Sequence, residues 1–538
     1  MCNYRISGCN EKRSILNFIL YLQVYKFLVN HKICAYNQKE SAMNKTYLIF
    51  SLTAIILFSC ITGYCQKSNL NESEFRDKIY ACWLGKNIGG TLGMPFEGKT
   101  NVNNISFYTN LKPNEPAPND DLDLQILWLK AMEENNAKVN AYTLGQYWIK
   151  YVPVDWNEYG VAIQNMKSGI MPPLSGEFNN KKWKTSNGAW IRSEIWACLA
   201  PGNPMLAAKF AWEDACVDHG TAEGTIAEIF TASLESAAFI EHDRYKLIAF
   251  ALSMIPEKSK IAIAVRTAVE AKNAGKDWKT AREEVVKVTE ELGWFQAPRN
   301  VAFTMIGWLW GDDDFGKSIC IAVNCGDDTD CTGATLGSIL GITGGTKAIP
   351  ARWSEPIGQR IVNVAISGFE APKDINVLTD KTVDLAKKIT SIYNMPVSIT
   401  SEKTEIRNVN GLLKIDRNQL NELFNRNAWM VVVNEQELEV MIDYMDDIYI
   451  RDNTTRPLKM AFRNTGTESE KIIIKVEGLP EGIRVTGLPS TSVKLSPNSS
   501  RTFSLTLGIK NVKPGFNRFT LAVLSDNRKL NIPLTLIR

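Results

Sequence analysis

The chain has 538 residues, 45% hydrophobic and 22% charged, with 14 Trp and a net charge of +3. That length exceeds what one ordinary core fills, so two or three domains are expected, and the hydrophobic content excludes a disordered polymer. The near-neutral balance, with no basic run interleaved with aromatics, argues against nucleic acid as a partner.

Residues 1–42 match neither a leader nor a domain and read as a mis-called or unstructured extension. From Met43 the sequence MNKTYLIFSLTAIILFSCITGYCQ sets Lys45 before an uncharged apolar stretch from Tyr47 to Thr62. This is the pattern of a secretory signal at 43–65, too short for a spanning helix. The expected location is therefore exported: periplasmic, extracellular or lipid-anchored at the cell surface. Two processing points compete, one making Cys60 a lipid-anchored first residue, with Phe58 a poor fit, and one just before Gln66. Beyond the leader remain Cys82, Cys198, Cys216, Cys320, Cys325 and Cys331, with no CxxC pair. An even number permits disulfides in an exported chain, but these six sit in apolar helical patterns and read as buried free thiols. With only His219 and His242 in this part, there is no frame for zinc.

From about residue 72 to 395 apolar residues recur at three and four, as in Leu124–Met132, Ala222–Ile240 and Val383–Tyr393, which predicts helices. Gly85, Gly89 and Gly93, and again Gly333, Gly337 and Gly341, recur every four residues. Each helical glycine costs about 1 kcal/mol relative to alanine, and close approach of helix backbones is the natural compensation. Glu97 follows the first ladder at a turn beside Pro95. Asn119, Asp120, Asp121 and Asp123 precede one predicted helix, and Asp327, Asp328 and Asp330 precede the second ladder. One Asp at a helix N-terminus needs no reason beyond capping. Two clusters of adjacent carboxylates brought into one cleft would repel unless a cation, Mg²⁺ foremost, neutralised them. After about Val397 short β-branched runs spaced by Gly, Pro, Asn and Ser predict a small Ig-like β-sandwich at 431–538, with 396–430 as the boundary. It carries no acidic cluster, so a chain ending near Met395 is expected to stay folded and active.

The segments GKNIGGTLGMPFE, NDDLDLQ, NGAWIRSEIW, DACVDHG and NCGDDTDCTGATLG, in that order, resemble the ADP-ribosylglycohydrolase family over about residues 72–390. The resemblance implies an all-α catalytic domain with a binuclear Mg²⁺ centre, Mn²⁺ being the alternative ion. The family's Asp-Ala-Leu-Gly followed by Pro and Glu falls on Gly90, Thr91, Leu92, Gly93, Pro95 and Glu97, which gives Glu97 the catalytic or water-positioning role. Its Thr-Asp-Asp falls on Asn119, Asp120 and Asp121, and its Asp-Thr-Asp-Thr on Asp328, Thr329, Asp330 and Cys331. Asn119 keeps an oxygen ligand; Cys331 offers sulfur, which Mg²⁺ disfavours, so either Thr332 is the substitute ligand or the second ion binds less tightly. Asn187, Gly188 and Arg192 fall on the family's substrate loop and His219 on its substrate-contacting histidine, and the extra acid Asp123 joins them as a substrate-binding candidate. Asp327 replaces a family glycine and is expected to face solvent. The implied function is hydrolysis of a glycosidic bond at a ribose-like anomeric carbon, on a small-molecule or glycosyl substrate. Two alternatives stand beside it: a nucleoside or carbohydrate glycoside as substrate, and a non-catalytic carbohydrate- or protein-binding surface protein. Asp120, Asp121, Asp328 and Asp330 are expected to converge on one divalent centre with Glu97 on its rim.

Overall fold

The computed structural model describes residues 67–525 and 528–538; the leader, Cys60 and the extension before them lie outside the described residues. A short strand β1 (Ser68–Asn71) leads into α1 (Glu72–Gly93). Then follow α2 (Asp120–Glu134), α3 (Ala141–Tyr151), α4 (Asn157–Lys167), α5 (Leu174–Glu177), α6 (Glu194–Leu199), α7 (Pro204–His219) and α8 (Glu223–Ala238). The helical part continues through α9 (Arg244–Ser253), α10 (Lys260–Asn273), α11 (Trp278–Val288), α12 (Ala297–Trp310), α13 (Phe315–Asn324), α14 (Thr329–Gly344), α15 (Ala351–Ser354) and α16 (Ile375–Ile392). Among the described residues no helix is long and apolar enough to cross a membrane.

The contact that organises these helices is made by the two glycine ladders. α1 starts where Asn71 accepts hydrogen bonds from the amides of Ser73 and Glu74, an N-cap that satisfies two free donors. It then runs antiparallel to α14. A Cβ on Gly85 would collide with the carbonyl of Gly337, one on Gly89 with that of Gly333, and one on Gly93 with that of Thr329. The reverse holds too, since a Cβ on Gly337 or Gly341 would strike the carbonyls of Gly85 or Ala81. The two backbones touch, and no side chain larger than hydrogen fits between them. Around this pair the core is rich in fully buried indoles, among them Trp83, Trp128, Trp148, Trp190 and Trp196.

After α16 the chain returns as β2 (Val397–Thr400), which pairs in parallel with β1, Ser68 opposite Val397. Two short helices, α17 (Val409–Leu412) and α18 (Arg417–Phe424), lead to β3 (Met430–Glu435), β4 (Leu438–Asp443), β5 (Thr454–Asn464), β6 (Glu470–Glu477), β7 (Ile483–Thr486), β8 (Val493–Leu495), β9 (Ser500–Ile509), β10 (Phe516–Ser525) and β11 (Arg528–Ile537). These form two antiparallel sheets, ordered β3-β4-β5-β9-β7 and β11-β10-β6-β8. Alternate residues such as Leu458, Met460 and Phe462 on β5, and Leu521 and Val523 on β10, are buried, the period-2 signature of one apolar face per strand. This β part is docked on the helices. The Thr535 hydroxyl donates to the Ser168 carbonyl (2.7 Å), the Asn140 amide to the Val432 carbonyl (3.0 Å), and Arg426 lies 4.2 Å from the Trp212 ring centroid while pairing with Glu213.

The expectation of a clean cut near Met395 is corrected on two grounds. A chain ending there lacks β2 and leaves the β1 edge unpaired, and it exposes the Trp212 and Ser168 surfaces that the β part covers. The six cysteines from Cys82 onward are free and buried, as expected.

The ladder contact generates a test. Gly337→Ala gains about 1 kcal/mol of helix propensity but forces two backbones apart, and overpacking of this kind costs about 1–3 kcal/mol, occasionally more. A net fall in stability is expected by chemical denaturation. Gly293→Ala, where an added Cβ meets nothing within 4 Å, should be close to neutral.

Candidate active site

The ladder fixes the site because its last rung, Gly93 against Thr329, lies where α1 ends and α14 begins. The turn after α1 carries Glu97, and the residues opening α14 are Asp328 and Asp330. Backbone hydrogen bonds hold the two segments together: Gly98 donates to the Asp327 carbonyl (2.9 Å) and Asp327 to the Lys99 carbonyl (2.9 Å). Gly326 and Asp327 achieve this with φ of +83° and +61°. Asp327 does not face solvent. Its carboxylate is 1% exposed and pairs with Arg299 at 3.1 Å, so it locks the junction, contrary to the sequence expectation.

α2 delivers the second acidic pair. Asn119 caps it, its side-chain oxygen accepting from the Asp121 amide (2.8 Å), which leaves the Asp carboxylates free of capping duty. Asp328 likewise stands at the N-cap of α14 without a side-chain capping bond. Candidate ligand atoms of Glu97, Asp328 and Asp330 lie within 4.8 Å of one another, and so do those of Asp121, Asp330 and Cys331. Asp120 completes the wall of the same cavity of about 420 Å³, which Glu97, Asp328, Asp330 and Cys331 also line. Its other carboxylate oxygen accepts from the Tyr159 hydroxyl (3.1 Å).

Crowding these acids raises their proton affinity. Burial, with repulsion from Glu97 and Asp121, pushes the Asp328 carboxyl up to about 7. Burial also holds Asp121 and Asp330 well above the usual carboxylate range, with repulsion from Asp330 adding to it at Asp121 and from Asp328 and Glu97 at Asp330. Glu97 is raised as well, by partial burial and by Asp120, although its side chain opens to solvent at the cavity mouth. The Cys331 thiol keeps its proton, pushed up by burial and the surrounding acids, and donates to Asp121 (3.6 Å).

Other sequence candidates are placed less directly. The Asn187 amide donates to Asp328 (2.6 Å) and its oxygen accepts from the Trp190 indole (2.9 Å), so it orients a site acid. Gly188 lines the cavity, and a Cβ there would strike Glu158. Arg192 is fully buried, paired with Asp214 (2.9 Å) and Asp218 (2.7 Å), and makes no part of the cavity wall. His219 is fully buried too, with Nδ1 2.8 Å from Asp218 and Nε2 3.1 Å from the Ser186 hydroxyl. Although this Ser–His–Asp row looks nucleophilic, none of the three lines the cavity and the Ser186 hydroxyl donates to the Trp183 carbonyl. Asp123 accepts three hydrogen bonds at 2.6 Å, from the Asn363 amide and the backbone of Val364 and Ala365, so it anchors the loop whose Val364 lines the cavity instead of facing it itself. The Thr332 hydroxyl is spent on the Thr329 carbonyl (3.2 Å), and Cys331, not Thr332, reaches the cavity.

Three residues escaped the sequence reading. Lys86, on the α1 ladder itself, is fully buried and ion-paired with Glu194 (2.7 Å) and Asp121 (3.5 Å). Burial alone would lower its pKa, but these two acids outweigh that and hold the ammonium charged. Glu158, at the start of α4, lines the cavity with its carboxyl raised to about 7 by burial, and Tyr159 stands beside it. The only local signal for Lys86 was a cation in a run of glycines.

The acids fit a metal. Asp328 Oδ1 and Asp330 Oδ1 are buried with no hydrogen-bond donor, and Asp121 Oδ2 has only the Lys86 ammonium near it. Unpaired buried carboxylate oxygens are costly unless a cation meets them. A family model for ADP-ribosylglycohydrolase matches residues 71–390, which contain every one of these acids. The chain belongs to the ADP-ribosylglycohydrolase family. Family membership makes it a hydrolase of glycosidic bonds by class, and the family is typically metal-dependent. Among solved structures, this chain is similar to one titled ADP-ribosylglycohydrolase-related protein complex, at 18% identity and a TM-score of 0.41 over 60% of this chain and 99% of that one. The chain is also similar to a structure titled FixG-related protein from Vibrio parahaemolyticus, at 8% identity and a TM-score of 0.17, over 19% of this chain and 98% of that one. No curated protein matches.

The clustered acids set a pH dependence in the absence of metal. The Asp328 carboxyl titrates at about 7 in the folded chain and near 3.9 when unfolded. The folded state therefore retains protons that the unfolded chain has released, and stability falls as pH rises through that window. With a chelator present, the melting temperature is expected to drop from about pH 4 to about pH 7, and Asp328→Asn should flatten the drop. A melting temperature that rises across the window would contradict the buried, like-charged cluster.

Proposed function

We propose that this chain is an exported, Mg²⁺-dependent glycohydrolase that cleaves a glycosidic bond at a ribose-like anomeric carbon. The observation that carries the reading is a cluster of buried carboxylates from two helices: Asp328 Oδ1 and Asp330 Oδ1 lack donors on one cavity, Asp121 stands within ligand distance of Asp330, and Glu97 lies at the cavity mouth. Such a hard oxygen set suits Mg²⁺ first and Mn²⁺ second, and two acidic groups leave room for two ions held by Asp120, Asp121, Asp328 and Asp330. When bound, the ions supply Lewis acidity and a template for vicinal hydroxyls. Export rests on the leader pattern at Met43–Gln66.

The chain's own residues divide the remaining work. Glu97, open to solvent and raised in proton affinity, is placed to accept the proton of an attacking water. Glu158, on the same wall, keeps its proton close to neutral pH and is placed to give it to the leaving group. Asn187 and Tyr159 fix the orientations of Asp328 and Asp120, and Lys86 offsets part of the negative charge behind Asp121. Carboxylates around an anomeric carbon favour the oxocarbenium character that develops there.

Asp328→Asn and Asp330→Asn are expected to abolish Mg²⁺-stimulated hydrolysis of ADP-ribosyl-arginine, nucleosides or aryl furanosides. Glu97→Gln should lower kcat by about 10²–10⁴-fold with metal affinity kept, the usual worth of a general base. Mg²⁺ at 100 times its Kd should stabilise the unmutated chain by about 2.7 kcal/mol, and Asp328→Asn should lose that increment. If Mg²⁺ and Mn²⁺ neither raise the melting temperature nor support turnover of any of these substrates, the reading fails.

A further inference from the structure

A second cleft, of about 660 Å³, opens where α4 meets the first residue of β10. It adjoins the catalytic cavity. Asn157 lines both, and Trp183 of the cleft stacks edge-on against Phe295 of the cavity with ring centroids 6.0 Å apart. Trp156, 43% exposed, stands on the cavity side of the same stretch of chain. On the other side Phe516, which opens β10 and is 51% exposed, forms the wall contributed by the β part. Phe178 extends that wall to Tyr449, itself 51% exposed, at 6.1 Å between centroids.

The polar groups of the cleft are uncharged amides, with Asn157 and Asn179 prominent, the Ser168 hydroxyl and the single carboxylate of Asp155. No Lys, Arg or His lines the cleft or the catalytic cavity. Lys182 lies over the Trp183 ring and Arg518 near the Phe516 ring, but neither lines the cleft. Amides and a carboxylate offer paired donors and acceptors that suit vicinal hydroxyls, and the exposed rings of Phe516 and Trp156 offer flat apolar surface to the C–H face of a sugar ring. A phosphate or diphosphate would call for cationic forks, which the lining does not supply.

We propose that this cleft is a subsite for a neutral carbohydrate, holding the leaving-group side of the substrate while its anomeric carbon lies in the acidic cavity, and that Phe516 makes the β part a specificity element of the enzyme. The assignment rests on the glycohydrolase reading only for the direction in which the substrate lies. It gives the docked sheets a chemical task, and it points to a neutral glycoside over an ADP-ribosyl-protein.

The test uses the chain from Gln66 onward carrying Asp328→Asn, so that a bound glycan is not cleaved. It is applied to an array of neutral oligosaccharides, phosphorylated glycans and ADP-ribosylated peptides, with hits titrated by calorimetry. Retention of a neutral oligosaccharide is expected, with affinity reduced at least tenfold by Phe516→Ala and restored by Phe516→Tyr, which keeps the ring. Circular dichroism checks that these variants at a half-exposed position remain folded. Trp278→Ala, in a separate aromatic cavity, should leave binding unchanged. Binding of phosphorylated or peptide ligands alone, no neutral ligand at all, or indifference to Phe516→Ala would overturn the subsite. Ring-dependent glycan binding by a chain whose unmutated form hydrolyses nothing would instead refute the glycohydrolase reading and leave the subsite standing.

Discussion

The contact between the backbones of α1 and α14 is the constraint on which the site depends. Two helices that meet through glycine have almost no freedom to slide or rotate, because each rung is a carbonyl against a Cα with no compressible side chain between. The register of the rungs then decides which residues emerge at the end of the pair. Gly93 meets Thr329, so the turn carrying Glu97 and the first residues of α14 arrive at the same place. Precision at the acids is obtained from a rigid joint one residue away, where loops alone would leave them loose.

That rigidity is what allows carboxylates to be held together against their own repulsion. Cations are distributed behind the site and not in it: Lys86 with Asp121 and Glu194, Arg299 with Asp327, Arg192 with Asp214 and Asp218. Each sits in the packed interior, where breaking one partner of an ion pair is far more costly than at the surface. The face of Asp120, Asp328 and Asp330 that opens to the cavity is left without a cation from the chain. The charge is thus compensated from the rear and available at the front, the arrangement a metal centre requires.

Much of this was legible because it violates local rules. Glycine every four residues is unfavourable for a helix, and adjacent aspartates exceed what capping explains, so both patterns demanded a tertiary reason. Asp123, three residues from Asp120, shares that residue's side of α2, and what removes it from the site is the set of donors from Asn363, Val364 and Ala365 that takes up its carboxylate. Asp327 was misread as a solvent-facing replacement for glycine; its φ of +61° is a conformation that glycine and, less readily, aspartate adopt, so the backbone need is the same for both. Lys86, Glu158 and Tyr159 were illegible because their meaning comes from partners tens to hundreds of residues away. The return of β2 to β1 across more than 300 residues was equally beyond any local pattern.

The central claim is that the N-terminus of α14, locked by backbone contact to the end of α1, and the N-terminus of α2 build a cation site from Asp121, Asp328 and Asp330. Anomalous diffraction from crystals of the chain soaked in Mn²⁺ tests it most directly. The account predicts one or two anomalous peaks among the oxygens of these carboxylates and Asp120, within the cavity that Glu97 overlooks. Peaks only at the Glu158, Asp218 and His219 cluster, or none at Mn²⁺ concentrations well above those that support turnover, would contradict it.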